Sequence, residues 1–165
     1  MKSILYFSLY LVLTVGLTGQ SPGTNESPFT ITIAATQSPF NLGDPLMIHI
    51  VLKSTTRGEL ILPQDRHDGT RGEMNYWISV ADPNGNPVPD TDYGQKLKNG
   101  HAVMSRSVTL KDLNFGDEVA EDVNLNNLVK ITEPGDYVVL VERRDNVYGP
   151  LHIKSNKLVI HIAAP

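Results

Sequence analysis

The sequence predicts an all-β fold, a two-sheet antiparallel sandwich. Three observations predict it. Short runs alternate apolar and polar residues with period two, as half-buried strands do. Clusters of Pro, Gly, Asn and Asp separate those runs, drawn from 11 Pro and 13 Gly. No run carries a helical period long enough for a major helix, so about seven strands are expected.

Composition supports one globular domain. The 165 residues are 40% hydrophobic and 19% charged, enough apolar material to bury a core. Cysteine is absent, which excludes a disulfide framework, a thiolate zinc cluster and a thiol nucleophile. The core must therefore hold the fold unaided, as it can in a chain of this size.

The first residues read as an export signal. Lys2 supplies the positive start, Ile4 to Leu17 is an apolar run, and Thr18-Gly19 offers small residues for cleavage. A spanning helix needs ~20 apolar residues, and this run is shorter. The expected division is a signal over 1–19, a polar tether over 20–28 and the sandwich over 29–165, which places the protein outside the cytoplasm, secreted or periplasmic, with no membrane contact after cleavage. Without Lys2 the chain has 13 basic residues against 18 acidic, a net charge of −5. An acidic chain without a basic run is not a nucleic-acid partner. Asn25-Glu26-Ser27, in the tether, matches a glycosylation sequon.

Taken in order, Phe29 to Ala35 alternates and forms the first strand, with Ile31 and Ile33 on one face. Asn41-Leu42-Gly43-Asp44-Pro45 turns the chain. Leu46, Ile48, Ile50 and Leu52 then share a face opposite Met47, His49, Val51 and Lys53. From Ser54 to Glu73 the pattern fails except at Leu60-Ile61-Leu62, a short edge strand, and the remainder is a charged loop. Tyr76, Ile78 and Val80 mark the inward face of the next strand, which ends in the turn Asp82-Pro83-Asn84-Gly85-Asn86-Pro87. Asp90 to Gly100 is polar and irregular, and His101 to Leu110 alternates weakly. Asn114-Phe115-Gly116-Asp117 turns into a strand where Val119, Val123 and Leu125 share a face with Glu121. Leu125, Leu128, Val129 and Ile131 recur at helical spacing over a single turn. Pro134-Gly135 then opens a strand with Tyr137, Val139 and Val141 inward. Arg143 to Pro150 is a loop, and Ile153 to Ile162 is the last strand, with Leu158, Ile160 and Ile162 inward.

A helical turn, Pro-Gly and a Tyr-led strand resemble the E–F corner and F strand of an immunoglobulin-like sandwich. The resemblance implies that the Tyr137 ring is buried while its hydroxyl bonds backbone at the corner. Leu42-Gly43-Asp44, Val80-Ala81-Asp82-Pro83-Asn84-Gly85 and Glu133-Pro134-Gly135-Asp136-Tyr137 together resemble a layout of small exported bacterial domains, over Phe29 to Ile162. The same arrangement of turns is similar to the bacterial intracellular proteinase inhibitor family, also an immunoglobulin-like sandwich. That likeness would imply a loop presented to a protease, although no inhibitory loop residue matches.

Motifs for chemistry are sparse. His67 stands between Asp65 and Asp68 without His-x-His or His-Glu-x-x-His spacing, so a solvated loop is expected rather than a metal site. Asp82, Asn84 and Asn86 alternate like a calcium loop, but the glycine is at the fourth position, where the EF-hand needs it at the sixth, so turn chemistry accounts for them. No Gly-x-Ser-x-Gly elbow or Gly-rich phosphate loop occurs. Glu121 and Asp122 are adjacent, hence on opposite faces of a strand. No catalysis, metal or cofactor is expected.

Two surfaces are left to carry function. Arg66, His67, Asp68 and Arg71 lie in the loop before the third major strand, and in this fold they would approach Arg143, Arg144 and Tyr148 at the same end. The inward parity leaves Trp77, Val138, Leu140 and Val159 facing out, side by side on neighbouring strands. The polar segment Asp90 to His101 folding over them, a second copy, or a docked partner would each account for that face. The functional expectation is a non-catalytic exported monomer that binds a protein or glycan, or spaces components; the alternative is a proteinase-inhibitor-like domain.

Overall fold

The alternating runs become strands, and their inward residues meet in one core. The structure is a computed structural model and describes residues 27–56, 60–65, 76–99, 108–145 and 151–164. In chain order it contains β1 (Phe29–Ala35), β2 (Phe40–Asn41), β3 (Met47–Ser54), β4 (Leu60–Asp65), β5 (Trp77–Ala81), helix α1 (Asp92–Lys98) and β6 (Val108–Leu113). There follow β7 (Glu118–Asn124), a 3₁₀ turn (Leu125–Asn127), β8 (Gly135–Asp145), β9 (Leu151–Lys154) and β10 (Leu158–Ala163). The expected signal at 1–19, most of the tether and the start of the sequon lie outside the described residues.

One sheet has the order β1-β3-β7 and the other β2-β10-β8-β5, with β9 on β8; β4 and β6 form a separate two-stranded ribbon. All pairings are antiparallel except β2 with β10, which is parallel. The strand orders match the A-B-E and C-F-G sheets of an immunoglobulin-like sandwich, with β5, β8 and β10 as C, F and G. Inward positions fill the space between the sheets: Phe29, Ile31, Ile33, Ile48, Ile50 and Leu52 face Ile78, Val80, Val139, Val141 and Ile160 in one buried cluster. The parity expected for each of these strands holds.

The corner forms as its sequence implies. Leu125, Leu128 and Val129 are buried beneath the 3₁₀ turn. The Tyr137 ring is buried, and its hydroxyl donates to the Glu133 carbonyl at 2.8 Å. Gly135 sits at φ 147°, where a Cβ would meet the Pro83 ring at 2.7 Å. Only glycine allows both the backbone angle and that approach.

Three expectations need correction. Residues after Asp90 are not irregular: they form α1, with Thr91 as N-cap, Asp92 in the first turn and Lys96 and Lys98 in the last, a charge placement that suits the helix dipole. Gly94 weakens the helical pattern in the sequence, yet a Cβ there would collide with the Leu128 carbonyl, so the close packing of α1 on the corner requires it. The presumed loop from Arg143 is strand as far as Asp145, because β9 pairs with residues Glu142 to Asp145. The last strand is two strands. Lys154 pairs with Glu142 while Leu158 pairs with Val139, so four steps along one strand oppose three along the other, the signature of a one-residue bulge. Of the weak strand expected over His101 to Leu110, residues 108–110 are strand, in β6, which continues to Leu113, while 100–107 lie outside the described residues.

The bulge closes one side of the sandwich. It aims the Asn156 amide at β1, where Oδ1 accepts from the Ile33 N–H at 2.8 Å and Nδ2 donates to the Ile33 carbonyl at 3.1 Å. Ser155 adds a parallel bridge to Ile31 and accepts, through Oγ, from the Val141 N–H at 3.1 Å. A side-chain amide thus imitates the missing neighbouring strand.

Candidate docking face

The outer face of the β5-β8-β10 sheet is set by register. Ala81, Val138 and Val159 form one cross-strand row, since Ala81 pairs with Val138 and Val138 with Val159. Leu140 stands opposite Ser79, and Trp77 opposite Glu142. The four apolar residues read from the sequence therefore do share this face, but as two groups. Val138, Leu140 and Val159 cluster at its middle. Trp77 lies at the end where Glu142 binds Lys154 at 3.1 Å.

Exposure divides the face in the same way. Val159 is 60% exposed, while Trp77, Val138 and Leu140 are half-buried. The Lys98 ammonium of α1 sits 5.9 Å from the Trp77 ring centroid and is held by Asp90 at 2.6 Å, a cation–π contact. Tyr93 and Leu97 of the same helix pack against the core. The 90–99 segment thus folds back as far as Trp77. The solvent side of the opposite sheet is mixed: Thr30, Thr32, His49, Lys53, Glu118 and Asp122 stand beside Met47, Val51 and Ala120, with Lys53 bound to Glu118 at 2.9 Å.

The expected loop site fares otherwise. Arg66, His67, Asp68, Arg71 and Tyr148 lie outside the described residues, as does the side chain of Arg144. Arg143 is a correction. It continues the inward parity of Tyr137, Val139 and Val141, and is only 7% exposed. Its guanidinium lies 6.0 Å from the Phe29 ring centroid and 5.8 Å from that of Tyr76. Burial raises the Tyr76 hydroxyl far above its ordinary range, the inward Glu121 carboxylate adds to the rise, and Arg143 opposes it. Buried polar groups placed among apolar strands in this way are structural, since exposing Arg143 would break the core face of β8. One further step along the 137–139–141 parity finds Arg143, and the 119–121–123 parity finds Glu121.

Other polar pairs are explained by turns and ladders. The Asp82 carboxylate accepts from the Asn84 N–H at 2.9 Å and the Asn86 N–H at 2.7 Å, and the Asn86 contact is the main reason its pKa falls. His49–Asp122 at 2.7 Å and His161–Asp136 at 2.6 Å are directly opposed cross-strand pairs on exposed faces. Among the described residues no group of three or more His, Asp or Glu side chains is arranged to hold a metal, and no helix is long and apolar enough to cross a membrane. Phe115, missed in the sequence as a surface feature, is 66% exposed at the tip of the 114–117 turn; an apolar residue inside Asn-x-Gly-Asp is the signal that finds it. No protein-family model matches this chain, and no curated protein matches it in sequence.

Proposed function

We propose that this protein is an exported, non-catalytic immunoglobulin-like module that binds a protein partner through the outer face of the β5-β8-β10 sheet. The observation that carries the reading is the row Ala81–Val138–Val159 with Leu140 beside it, apolar on the solvent side and open at Val159. Antiparallel sheets ordinarily turn polar residues to water; on the other sheet Val51 and Ala120 stand among Thr32, His49, Lys53, Glu118 and Asp122. A contiguous apolar row of this kind, open at Val159, is best accounted for by something that covers it. Export rests on the Lys2 and Ile4–Leu17 pattern and is tested by mass spectrometry, with a mature terminus expected near Gln20.

The binding reading is tested by affinity capture from the producing cells with three baits: the native chain, Val159→Glu and the control Val51→Glu on the opposite sheet. A protein retained by the native chain and the control but lost with Val159→Glu supports it. Capture that is the same with all three baits refutes the assignment to this face. Sedimentation of the purified native chain separates out the remaining outcome, since a concentration-dependent dimer abolished by Val159→Glu makes the partner a second copy.

A further inference from the structure

A concavity lies at the corner end of the sandwich, lined by residues other than those of the proposed docking face. It is a cleft of about 290 Å³ between the turn after β2 and the segment after the 3₁₀ turn, with Leu42, Leu46, Val129, Ile131 and Ile162 as its apolar lining. That volume is near the lower bound of small-ligand pockets and suits one apolar side chain with its backbone.

Two further observations give the cleft a chemistry. Val129 and Lys130 are tied into the fold, by the Val129 N–H to Leu125 and the Lys130 N–H to Pro89 at 2.9 and 2.8 Å. The next residues are not. Neither Ile131 nor Thr132 makes a backbone hydrogen bond among the described residues, so within them a stretch of non-helical chain along the cleft wall offers unpaired N–H and C=O groups. Such groups are what an added extended chain pairs with. Lys130 also lines the cleft and is exposed, and its ammonium has no ion-pair partner among the described residues. Its neighbour on that wall, Thr132, is uncharged.

We propose that this cleft binds the C-terminal end of an extended peptide, with an apolar last side chain between Leu42 and Ile131, main-chain hydrogen bonds to Ile131 and Thr132, and the terminal carboxylate beside Lys130. An apolar lining selects the side chain, a free backbone stretch selects an extended main chain, and an unpaired cation selects the carboxylate. This assignment is independent of the sheet face, so either site stands if the other fails.

The test is a titration of the isotope-labelled full chain, followed by amide ¹H–¹⁵N shifts, with acetyl-Gly-Gly-Leu, its C-terminal amide and 4-methylpentanoate. The free-acid peptide is expected to give saturable shifts at Leu42, Gly43, Ile131, Thr132 and Ile162, at least fivefold weaker for the amide. The Lys130→Gln protein should lose the same factor for the acid and nothing for the amide. Thr132→Trp, at an exposed position on the rim, should block both peptides while leaving the remaining spectrum in place. Absence of saturable shifts overturns the proposal, as does equal affinity for acid and amide. Binding of 4-methylpentanoate as tight as the peptide would remove the main chain from the interaction and overturn the peptide assignment.

Discussion

Replacing Asn156 with Ala tests whether a single amide holds the open side of the sandwich. The change deletes two hydrogen bonds to Ile33, at 2.8 and 3.1 Å. A typical protein hydrogen bond contributes about 1 kcal/mol net, and a buried group left bare costs more. Asn156 itself is exposed, so water reaches the vacated positions and the loss falls to about 1–2 kcal/mol. With an ordinary urea dependence of about 2 kcal/mol per molar, the midpoint should drop by roughly 0.5–1 M. A second readout isolates the cause: the Ile33 amide should exchange with solvent faster than its β1 neighbours, whose bonds to β3 are intact. Asn156→Asp keeps the acceptor for the Ile33 N–H, so that amide should stay protected even as the carboxylate faces the Ile33 carbonyl. An unchanged midpoint together with an unchanged Ile33 exchange rate in Asn156→Ala would refute the role given to the bulge.

Two further outcomes follow from the packing. Gly94→Ala forces α1 away from the Leu128 carbonyl, at a cost of about 1–3 kcal/mol for an overpacked site; the melting temperature should fall and acrylamide should quench Trp77, the single tryptophan, more strongly as Lys98 withdraws. Unaltered melting and quenching would mean that α1 does not depend on that contact. Tyr76, raised from its ordinary pKa of 10.0 chiefly by burial, holds its proton more tightly folded than unfolded; stability from this group is complete below about pH 10 and declines as pH climbs above it. Burial also raises Tyr137, so alkaline titration at 295 nm should show late-ionising tyrosine absorbance that persists until the protein unfolds, and the Tyr76→Phe protein should lose the latest-ionising share of it.

Much of this fold is legible in the sequence because period-two burial fixes parity over several strands at once. Ile48, Ile50, Ile78, Val80, Val139 and Ile160 are inward as their alternation requires. Tyr137 behaves as its place after Pro-Gly implies. The failures have a common physical origin: a local signal overridden by a tertiary contact. Gly94 hides α1 because its value lies in the approach to Leu128, which the helix's own sequence does not contain. Arg143 reads as loop because a charge at a core position is unfavourable until Phe29 and Tyr76, far away in the chain, surround it. The bulge at Ser155–Asn156 is invisible because both residues are common in strand-end turns, and only the partner register reveals the extra step. For the outward face, parity alone finds Trp77, Val138, Leu140 and Val159. It does not foresee that Lys98 shelters the first and leaves the last open.

The inward turn of Glu121 bears on what this molecule avoids becoming. β7 is the outer strand of its sheet among the described residues, and outer strands invite stacking into fibres. With Glu121 between Val119 and Val123, the strand cannot serve as a uniform apolar template. A copy of itself laid alongside in register would set one interior carboxylate next to another, where like charges repel in a poorly hydrated space. Resistance to edge-to-edge pairing is thereby placed on a half-buried, inward position of the strand.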